Sequence, residues 1–161
     1  MSYIMDSLNS HYLYPSALFV SKEPYLINTI LGSCVAVCLY DPKSEIGGMA
    51  HYMLPFWNGE GLASPKYGNI AVEKLVEKMK SYGSQQSDMK AKVFGGGEVI
   101  NVKNMCFDIG KRNVKMAFDM LGDCNIPVIS SSTGGKHGRK LIFNTQTGLV
   151  KQRYVRQVDM K

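Results

Sequence analysis

The chain has 161 residues, of which 45% are hydrophobic and 20% are charged, a composition that is typical of one globular domain and excludes a largely disordered protein. Its formal net charge of +6 comes from 19 basic and 13 acidic residues, but the basic residues are dispersed along the chain, which argues against a nucleic-acid-binding protein. Because neither a signal-peptide pattern nor a long apolar run is present, we expect a single domain over residues 1–161 in the cytoplasm, with reduced cysteines and no membrane insertion.

The first half of the chain predicts four strands followed by a helix. The strands are expected over residues 16–20, 25–30, 34–40 and 47–54, and the last two would form a hairpin about the sequence DPKSE. Asn69 is expected to cap a helix over residues 70–82, which Gly83 would end. Apolar residues at helical spacing would form its buried stripe: Val72, Leu75, Val76 and Met79.

The second half of the chain predicts a short strand, a second helix and a closing hairpin. The elements are a strand over 91–97, a helix over 111–123, a strand over 126–131 and a hairpin over 140–155 that turns at Thr147 and Gly148. The helix residues expected to face inward are Val114, Ala117, Phe118 and Leu121. This order of elements predicts an α+β domain, mainly β, with two principal helices packed on it.

The turn after the third strand decides which residues face each other in the first hairpin. If Pro42 and Lys43 are the two central residues of the turn, Cys34 lies directly opposite His51. Opposed residues of antiparallel strands share a face of the sheet, with Cβ atoms about 4.5–5.5 Å apart, so a thiol would meet an imidazole. A shift of one residue would put the two side chains on opposite faces, and a bulge at Gly47 would alter the register.

Such a pairing would make Cys34 reactive. The His51 imidazole can take the thiol proton and give a thiolate–imidazolium pair at a pH where an isolated thiol is mostly protonated. The small residues Gly32 and Ser33 would let a substrate carbonyl approach, and backbone N–H groups there are candidates for stabilising an oxyanion. Thr29 is a candidate for orienting the imidazole through its hydroxyl group.

Each of these residues also has a purely structural interpretation. A cysteine in an apolar strand is most often a small buried hydrophobe, and a single histidine is more often hydrogen-bonded within a core or an interface. Only the pair of Cys34 and His51 therefore indicates catalysis. The other thiols are expected to pack in a strand or near helix ends, and the other imidazoles to lie in exposed loops: Cys38, Cys106, Cys124, His11 and His137.

Two other kinds of site are less well supported. Zinc binding by Cys34, Cys38 and His51 would need a fourth ligand and lacks a close Cys-x-x-Cys or a His pair. The runs VFGGGEVI and TGGKHGRK suggest phosphate loops, but neither has the Walker spacing that ends in Gly-Lys-Ser/Thr. We therefore expect no metal and no cofactor, and we interpret these glycines as tight turns beside a substrate groove.

Motifs that follow one another over almost the whole chain indicate a known family. The most specific are LGSCVAVCLYD and GGMAHYMLP, and they are followed by KYGNIAVEKLVEKM, AKVFGGG, IGKRNV and TGGKHGRKLIFNTQTG. In these motifs the chain resembles the CheD family of chemoreceptor glutamine deamidases. The chain departs from the family pattern at two places, both of which concern local substrate contacts. GGGE stands where a small residue usually follows two glycines, and SSTGG stands where an Asp commonly precedes the Gly pair.

The resemblance implies both a fold and an activity. The fold would be a layered α/β sandwich related to bacterial toxin deamidases. The activity would be the conversion of receptor glutamine side chains to glutamate by a Cys-His-Thr constellation, which maps onto Cys34, His51 and Thr29. The implied partners are the cytoplasmic helical bundles of methyl-accepting chemotaxis receptors and a CheC-like phosphatase of the response regulator, and some members of the family also hydrolyse receptor methyl esters.

Two loops are expected to form the rim of a substrate groove. The residues proposed for contact are Phe56, Trp57, Lys66 and Tyr67 on one side and Gly134 and Gly135 on the other. Equally, the two aromatic residues that follow the His51 strand could cover the core. The alternative to an enzyme is a regulatory binding module for a CheC-like phosphatase or the receptor array, with weak or no catalysis.

Overall fold

The computed structural model describes residues 8–98 and 108–155. In these ranges the strands are β1 (Asn9–Tyr12), β2 (Ala17–Ser21), β3 (Tyr25–Leu31), β4 (Val35–Asp41), β5 (Ile46–Tyr52), β6 (Lys90–Gly95), β7 (Val128–Thr133), β8 (Gly138–Asn144) and β9 (Val150–Val155). The helices are α1 (Gly68–Ser81) and α2 (Ile109–Asp123), and a short 3₁₀ helix covers Gln86–Asp88. None of the helices in the described ranges is long and apolar enough to cross a membrane.

The strands form two sheets. Sheet A has the order β1-β3-β8-β9, and sheet B has the order β2-β5-β4-β6-β7. Neighbouring strands are antiparallel except for two parallel pairs, β1 with β3 and β6 with β7. Both helices pack on the outer face of sheet B, so that the layers are helices, sheet B and sheet A. The prediction of a mainly β, layered α+β fold with two principal helices is confirmed.

The two faces of sheet B bury two separate cores. Val35 of β4 and Tyr52 of β5 pack against the helices, whereas Ala36 and Met49 pack against sheet A. Successive side chains of a strand point to opposite faces, so His51 shares the inner face with Met49. The space between the two sheets is therefore where the candidate catalytic residues lie.

Helix α1 buries the predicted stripe but begins differently. Its buried residues include Val72, Leu75, Val76 and Met79. The helix starts at Gly68 after Tyr67, which makes no side-chain capping bond. Asn69 is therefore not the cap; its side-chain oxygen accepts a hydrogen bond of 3.0 Å from the backbone N–H of Trp57. Gly83 follows the helix with a φ of +110°, as predicted for its C-terminal end.

Helix α2 packs Val114, Ala117 and Leu121 against the core as predicted, but not Phe118. Its buried residues are Gly110, Asn113, Ala117 and Leu121, and Val114 is half-buried. Phe118 is 40% exposed, so its predicted inward position is wrong. The cause is a close approach of backbones, since a Cβ atom on Gly110 would lie 2.3 Å from the carbonyl oxygen of Gly96. This contact fixes the rotation of the helix and turns Asn113 inward in place of Phe118.

The loop between β4 and β5 is longer than predicted. It contains four residues, 42–45, instead of a two-residue turn, and Glu45 adopts a φ of +55°. The carboxylate of Asp41 accepts hydrogen bonds from the backbone N–H groups of Lys43 and Ser44 at 2.9 and 3.2 Å. An Asx-type arrangement of this kind stabilises the longer loop.

The longer loop shifts the register of the hairpin by two residues. Ala36, and not Cys34, lies directly opposite His51. The predicted direct pairing of Cys34 with His51 is therefore wrong. A shift of two preserves the alternation of side chains, so both residues still belong to the face that points to sheet A.

Strand β1 and its histidine are not predicted by the sequence. The strand has the polar sequence NSHY and pairs in parallel with β3. His11 is half-buried in it and stacks on Phe19 with ring centroids 3.9 Å apart, so the predicted exposed loop is wrong for His11. His137 is exposed in a loop and Cys124 follows α2, as predicted. Cys106 lies outside the described residues.

Candidate active site

Thr29 and His51 meet in the space between the two sheets. The Oγ1 atom of Thr29 in β3 lies 2.7 Å from Nδ1 of His51 in β5, and it also lies 2.7 Å from the carbonyl oxygen of Leu13. A hydroxyl group has one proton to donate, and the carbonyl of Leu13 can only accept. Thr29 therefore donates to Leu13 and accepts from Nδ1–H of His51, which fixes both the plane of the ring and its tautomer.

The second ring nitrogen of His51 is left as a free acceptor. With the proton on Nδ1, the neutral imidazole carries a lone pair on Nε2. Nε2 is buried, and it has no hydrogen-bond partner among residues 8–98 and 108–155. A buried nitrogen without a partner, on a ring whose other nitrogen is held in place, is suited to accept a proton during a reaction.

Cys34 ends the loop that leads into β4, and its backbone is held from the side of β6. Its carbonyl oxygen accepts a hydrogen bond of 2.9 Å from the N–H of Gly96, and the carbonyl oxygen of Gly32 accepts one of 3.0 Å from Gly97. Gly95 has a φ of +110°, and a Cβ atom there would lie 2.2 Å from the Cys34 oxygen. The approach of the two backbones therefore requires glycine at this position.

Cys34 and His51 are diagonal neighbours on the inner face of sheet B. Ala36 is opposite His51 in the register, and Cys34 precedes Ala36 by two residues. Diagonal positions of this kind are about 7–8 Å apart between backbones, within reach of long side chains. Cys34 packs against the inner core and is half-buried, whereas His51 is only 1% exposed. The thiol is therefore the more accessible of the two groups.

Burial disfavours the charged form of both groups. Desolvation raises the pKa of Cys34 to about 11, although the backbone N–H of Cys34 itself acts in the opposite direction. Desolvation lowers the pKa of His51 to about 4, opposed by its contact with the carbonyl of Leu13. At neutral pH these shifts favour a thiol beside a neutral imidazole over the thiolate–imidazolium pair expected from the sequence.

Asn113 connects the two segments that carry Cys34 and His51. Its Nδ2 atom donates to the carbonyl oxygens of Ser33 at 2.9 Å and Met53 at 3.0 Å. Asn113 is not among the site residues predicted from the sequence. The sequence feature that could have identified Asn113 is its position four residues before Ala117, on a face of α2 whose other residues are apolar or glycine.

The loop after β5 is attached next to the site, and its aromatic residues differ in exposure. Phe56 is 60% exposed, so it does not cover the core, whereas Trp57 is half-buried and its indole N–H donates to the carbonyl of Glu60 at 3.0 Å. Lys66 is exposed with its ammonium 6.0 Å from the ring centroid of Tyr67. The Lys66 carbonyl accepts backbone bonds from the residues directly after β5, which holds this loop beside the His51 strand.

The glycine turn predicted for the opposite rim lies on the β6 side of Cys34. Gly134 and Gly135 both have a φ of +79°. Gly134 donates to the carbonyl of Gly95, and the carbonyl of Gly135 accepts from Glu98. Since Gly97 bonds in turn to Gly32, this turn is linked to the Cys34 loop.

The other sites weighed from the sequence find no support in the described ranges. No group of three or more His, Cys, Asp and Glu side chains there could hold a metal ion, which argues against the zinc interpretation of Cys34, Cys38 and His51. A cavity of about 210 Å³ is lined by Cys38, Lys92 and other residues, and it contains none of the residues Thr29, Cys34 and His51. Cys38 itself is 1% exposed and packs in the inner core.

Comparisons with known proteins identify a matching family model and several similar proteins. The family model described as CheD chemotactic sensory transduction matches residues 53–154. A protein of Sulfurimonas denitrificans is 47% identical over 150 residues, which cover 92% of this chain and 96% of that protein. A protein of Trichlorobacter lovleyi is 46% identical over 143 residues, which cover 89% of each. Both carry the name "Probable chemoreceptor glutamine deamidase CheD".

Among solved structures, a Neisseria meningitidis protein of the DUF152 family has a similar fold. Its TM-score is 0.52 at 11% sequence identity, and the match covers 83% of this chain and 67% of that one. At this identity the likeness concerns the fold alone. The fold and the site together define a layered α+β protein with a thiol and an oriented imidazole between its two sheets. By the family model and the relatives above, the chain belongs to the CheD family.

Proposed function

We propose that this chain is a protein-glutamine deamidase that converts glutamine side chains of chemotaxis receptors to glutamate by thiol catalysis. The names of relatives at 46% and 47% identity support the reaction and the receptor substrate. The observation that carries the catalytic part is the 2.7 Å contact between Thr29 Oγ1 and His51 Nδ1. It leaves Nε2 of His51 as a free base on the sheet face to which Cys34 belongs.

In the first half of the reaction, Cys34 forms a covalent bond with the substrate. As its sulfur attacks the carboxamide carbon of glutamine, Nε2 of His51 takes the thiol proton, so the reactive ion pair forms during the attack. The carbonyl oxygen becomes an oxyanion, for which backbone N–H groups near Gly32 and Ser33 are the candidate donors. The imidazolium then gives its proton to the departing amine, and ammonia leaves a thioester behind.

In the second half, water replaces the thiol. Nε2 of His51 takes a proton from a water molecule, whose oxygen attacks the thioester carbon. The carbon–sulfur bond breaks, Cys34 regains a proton from the imidazolium, and the product is glutamate. Thr29 keeps the ring in one orientation throughout, because its hydroxyl bond to Leu13 prevents rotation of the acceptor oxygen. A receptor methyl ester would react at the same centre with methanol as the leaving group, which would give the enzyme a methylesterase side activity.

The proposed substrate is a glutamine on the helical bundle of a receptor in the cytoplasm. Phe56, which is 60% exposed beside the site, would contact apolar residues of a helix, and the exposed Lys66 would contact an acidic neighbour. The +6 charge of the chain favours approach to a surface rich in carboxylates. A CheC-like phosphatase that offers a similar helix would occupy the same groove and compete with the receptor.

The direct test is deamidation of receptor cytoplasmic fragments followed by mass spectrometry. We expect a mass increase of one dalton at particular glutamines with the wild type and with Cys38→Ala, and none with Cys34→Ala. Cys38 is the matched control because it is a buried cysteine four residues further along the chain, packs in the same inner core, and has Met49 and Lys92 as register partners instead of an imidazole. Binding of the fragment without any mass change would instead support the alternative, a regulatory binding module.

A further inference from the structure

Asn113 bonds to residues that are close in the chain to both candidate catalytic residues. It is 0% exposed, and its Nδ2 atom donates to the carbonyl oxygen of Ser33, next to Cys34, and to that of Met53, two residues after His51. Because both partners are backbone acceptors, the amide nitrogen must be the atom that faces them, which settles the orientation of the side chain.

A second bond attaches the backbone of the same residue to β5. The Tyr52 hydroxyl donates to the carbonyl oxygen of Asn113. Tyr52 lies on the face of β5 that packs against the helices, whereas His51 lies on the opposite face. One residue of α2 therefore holds the end of β5 through two separate bonds, but it reaches the Cys34 loop only through its side chain.

The bond to Ser33 has a consequence for the backbone of Cys34. The carbonyl of Ser33 and the N–H of Cys34 belong to one planar trans peptide unit, in which they point in opposite directions. Holding the carbonyl toward α2 thus directs the N–H of Cys34 away from the helix, toward the inner face of sheet B, where its own sulfur lies. An oxyanion formed on a carbon bonded to that sulfur would lie within reach of this N–H.

The other end of the Asn113 amide argues against a purely stabilising role. Its Oδ1 atom is buried and has no hydrogen-bond partner within residues 8–98 and 108–155. A buried acceptor without a partner destabilises a fold, and this cost offsets part of what the two Nδ2 bonds contribute. A half-satisfied amide is consistent with a position where the bonds of its nitrogen serve function.

We infer that Asn113 is a positioning residue that orients the Ser33–Cys34 peptide, so that the backbone N–H of Cys34 donates to the oxyanion of the reaction, an inference that rests on the proposed function. Asn113 does not itself touch the substrate. It acts through the peptide unit that joins Ser33 to Cys34.

The test compares Asn113→Leu with Tyr52→Phe in three measurements. Asn113→Leu keeps the number and branching of the side-chain heavy atoms and removes both Nδ2 bonds. Tyr52→Phe removes only the other bond between the same helix and the same strand. The measurements are kcat and KM for a receptor fragment, the rate at which iodoacetamide alkylates Cys34, and the thermal unfolding midpoint. Alkylation is a displacement at a saturated carbon and forms no oxyanion, so it separates peptide orientation from thiol reactivity.

For Asn113→Leu we expect kcat to fall by roughly 100-fold, as for the loss of one oxyanion donor, with KM and the alkylation rate within about threefold of the wild type. Tyr52→Phe should lose thermal stability and keep kcat within about threefold, because Ser33 is still held. Wild-type kcat in Asn113→Leu overturns the inference. A parallel fall of kcat and alkylation in both variants also overturns it, because that result indicates only local unfolding.

A spectroscopic measurement separates this inference from the proposed function. If the wild type deamidates no receptor fragment, the proposed function fails, and the orientation of the peptide is then decided by the Cys34 amide cross-peak in a proton–nitrogen NMR spectrum. Displacement of that peak in Asn113→Leu but not in Tyr52→Phe supports the positioning role. An unmoved peak overturns it. If Asn113→Leu does not fold, the smaller Asn113→Ser is measured in the same way with the same criteria.

Discussion

The hydroxyl oxygen of Thr29 lies 2.7 Å from Nδ1 of His51, and this bond joins the two sheets at the candidate site. Thr29 belongs to sheet A and His51 to sheet B, so the bond exists only when the sheets are stacked in this alignment. Since the same hydroxyl donates to Leu13, the imidazole is held as its Nδ1–H tautomer. The base of the proposed reaction is therefore a product of the packing of the two sheets.

Loss of the imidazole should be more damaging than loss of the hydroxyl that orients it. We expect His51→Gln to lower kcat by roughly 10²–10⁴-fold, since the base and the proton donor to ammonia are both removed. Thr29→Ala should have a smaller effect, and Thr29→Ser, which keeps the hydroxyl, should lie between Thr29→Ala and the wild type. Steady-state kinetics on a receptor fragment measures this order. Wild-type turnover by Thr29→Ala would remove Thr29 from the mechanism.

The imidazole should also control the reactivity of one thiol only. Iodoacetamide should label Cys34 faster than Cys38, because Cys34 is half-buried and Cys38 is 1% exposed with its pKa raised by burial. In His51→Gln the labelling of Cys34 should slow, whereas that of the distant Cys124 should not change. Peptide mass spectrometry after timed quenching gives both rates from the same sample. Equal rates at Cys34 with and without the imidazole would contradict a base role for His51.

The buried imidazole should make stability fall in mild acid. Burial lowers the pKa of His51 from 6.5 to about 4, so between these values the unfolded chain binds a proton that the folded chain excludes. Stability should therefore rise with pH across this window and be lost as the pH falls from 6.5 toward 4, by about 3 kcal/mol from this group.

Denaturant unfolding of the wild type and His51→Gln over the same pH series isolates this effect. Carboxylates such as Asp41 titrate in both proteins, and their contribution cancels in the difference. The wild type should lose more stability than His51→Gln between neutral pH and pH 4. Parallel curves would show that the imidazole titrates alike in the folded and unfolded chains.

Two glycine-to-alanine changes should have opposite effects. Gly95→Ala places a Cβ atom 2.2 Å from the carbonyl oxygen of Cys34, at a φ of +110°, and we expect it to destabilise the fold by about 1–3 kcal/mol and to displace the thiol. Gly122→Ala is the control, because its Cβ atom meets nothing within 4 Å and alanine is favoured in a helix. Thermal unfolding and kcat measure both variants. An active, undisturbed Gly95→Ala would contradict the close approach beside Cys34.

Association with the receptor should weaken as salt is added. The net charge of +6 attracts a surface rich in carboxylates, and mobile ions screen this attraction. KM for a receptor fragment should therefore rise with ionic strength while kcat changes little, and Lys66→Gln should reduce the salt dependence. Lys43→Gln, a change of the same charge in the loop between β4 and β5, serves as the control. A KM that is independent of salt would exclude electrostatic attraction as a determinant of binding.

The sequence predicts most elements because each has a clear hydrophobic period, but it does not predict how they meet. The register error arose because the bonds of the Asp41 carboxylate to Lys43 and Ser44 favour a four-residue loop, which the Pro-Lys pair does not reveal. The shared face of Cys34 and His51 survived the error because the shift was two residues, an even number.

The remaining parts of the site depend on contacts between elements that are distant in the chain. Thr29 contacts His51 from a different sheet, and the local sequence around either residue does not predict how the two sheets are stacked. Asn113 faces inward because Gly110 packs against the backbone of Gly96. This contact sets the rotation of α2 and leaves Phe118 exposed. Neither contact has a signature in the residues next to it.

The most direct test of the proposed mechanism is the capture of the thioester on Cys34. A receptor fragment is mixed with the protein, quenched in acid within the first turnover, and examined by intact-mass spectrometry. We expect an adduct whose mass is the sum of both chains less one ammonia. It should map to Cys34, accumulate when thioester hydrolysis is slow, and be absent from Cys34→Ala. Deamidation of the fragment by Cys34→Ala at the wild-type rate, with no adduct in either protein, would contradict the proposed mechanism.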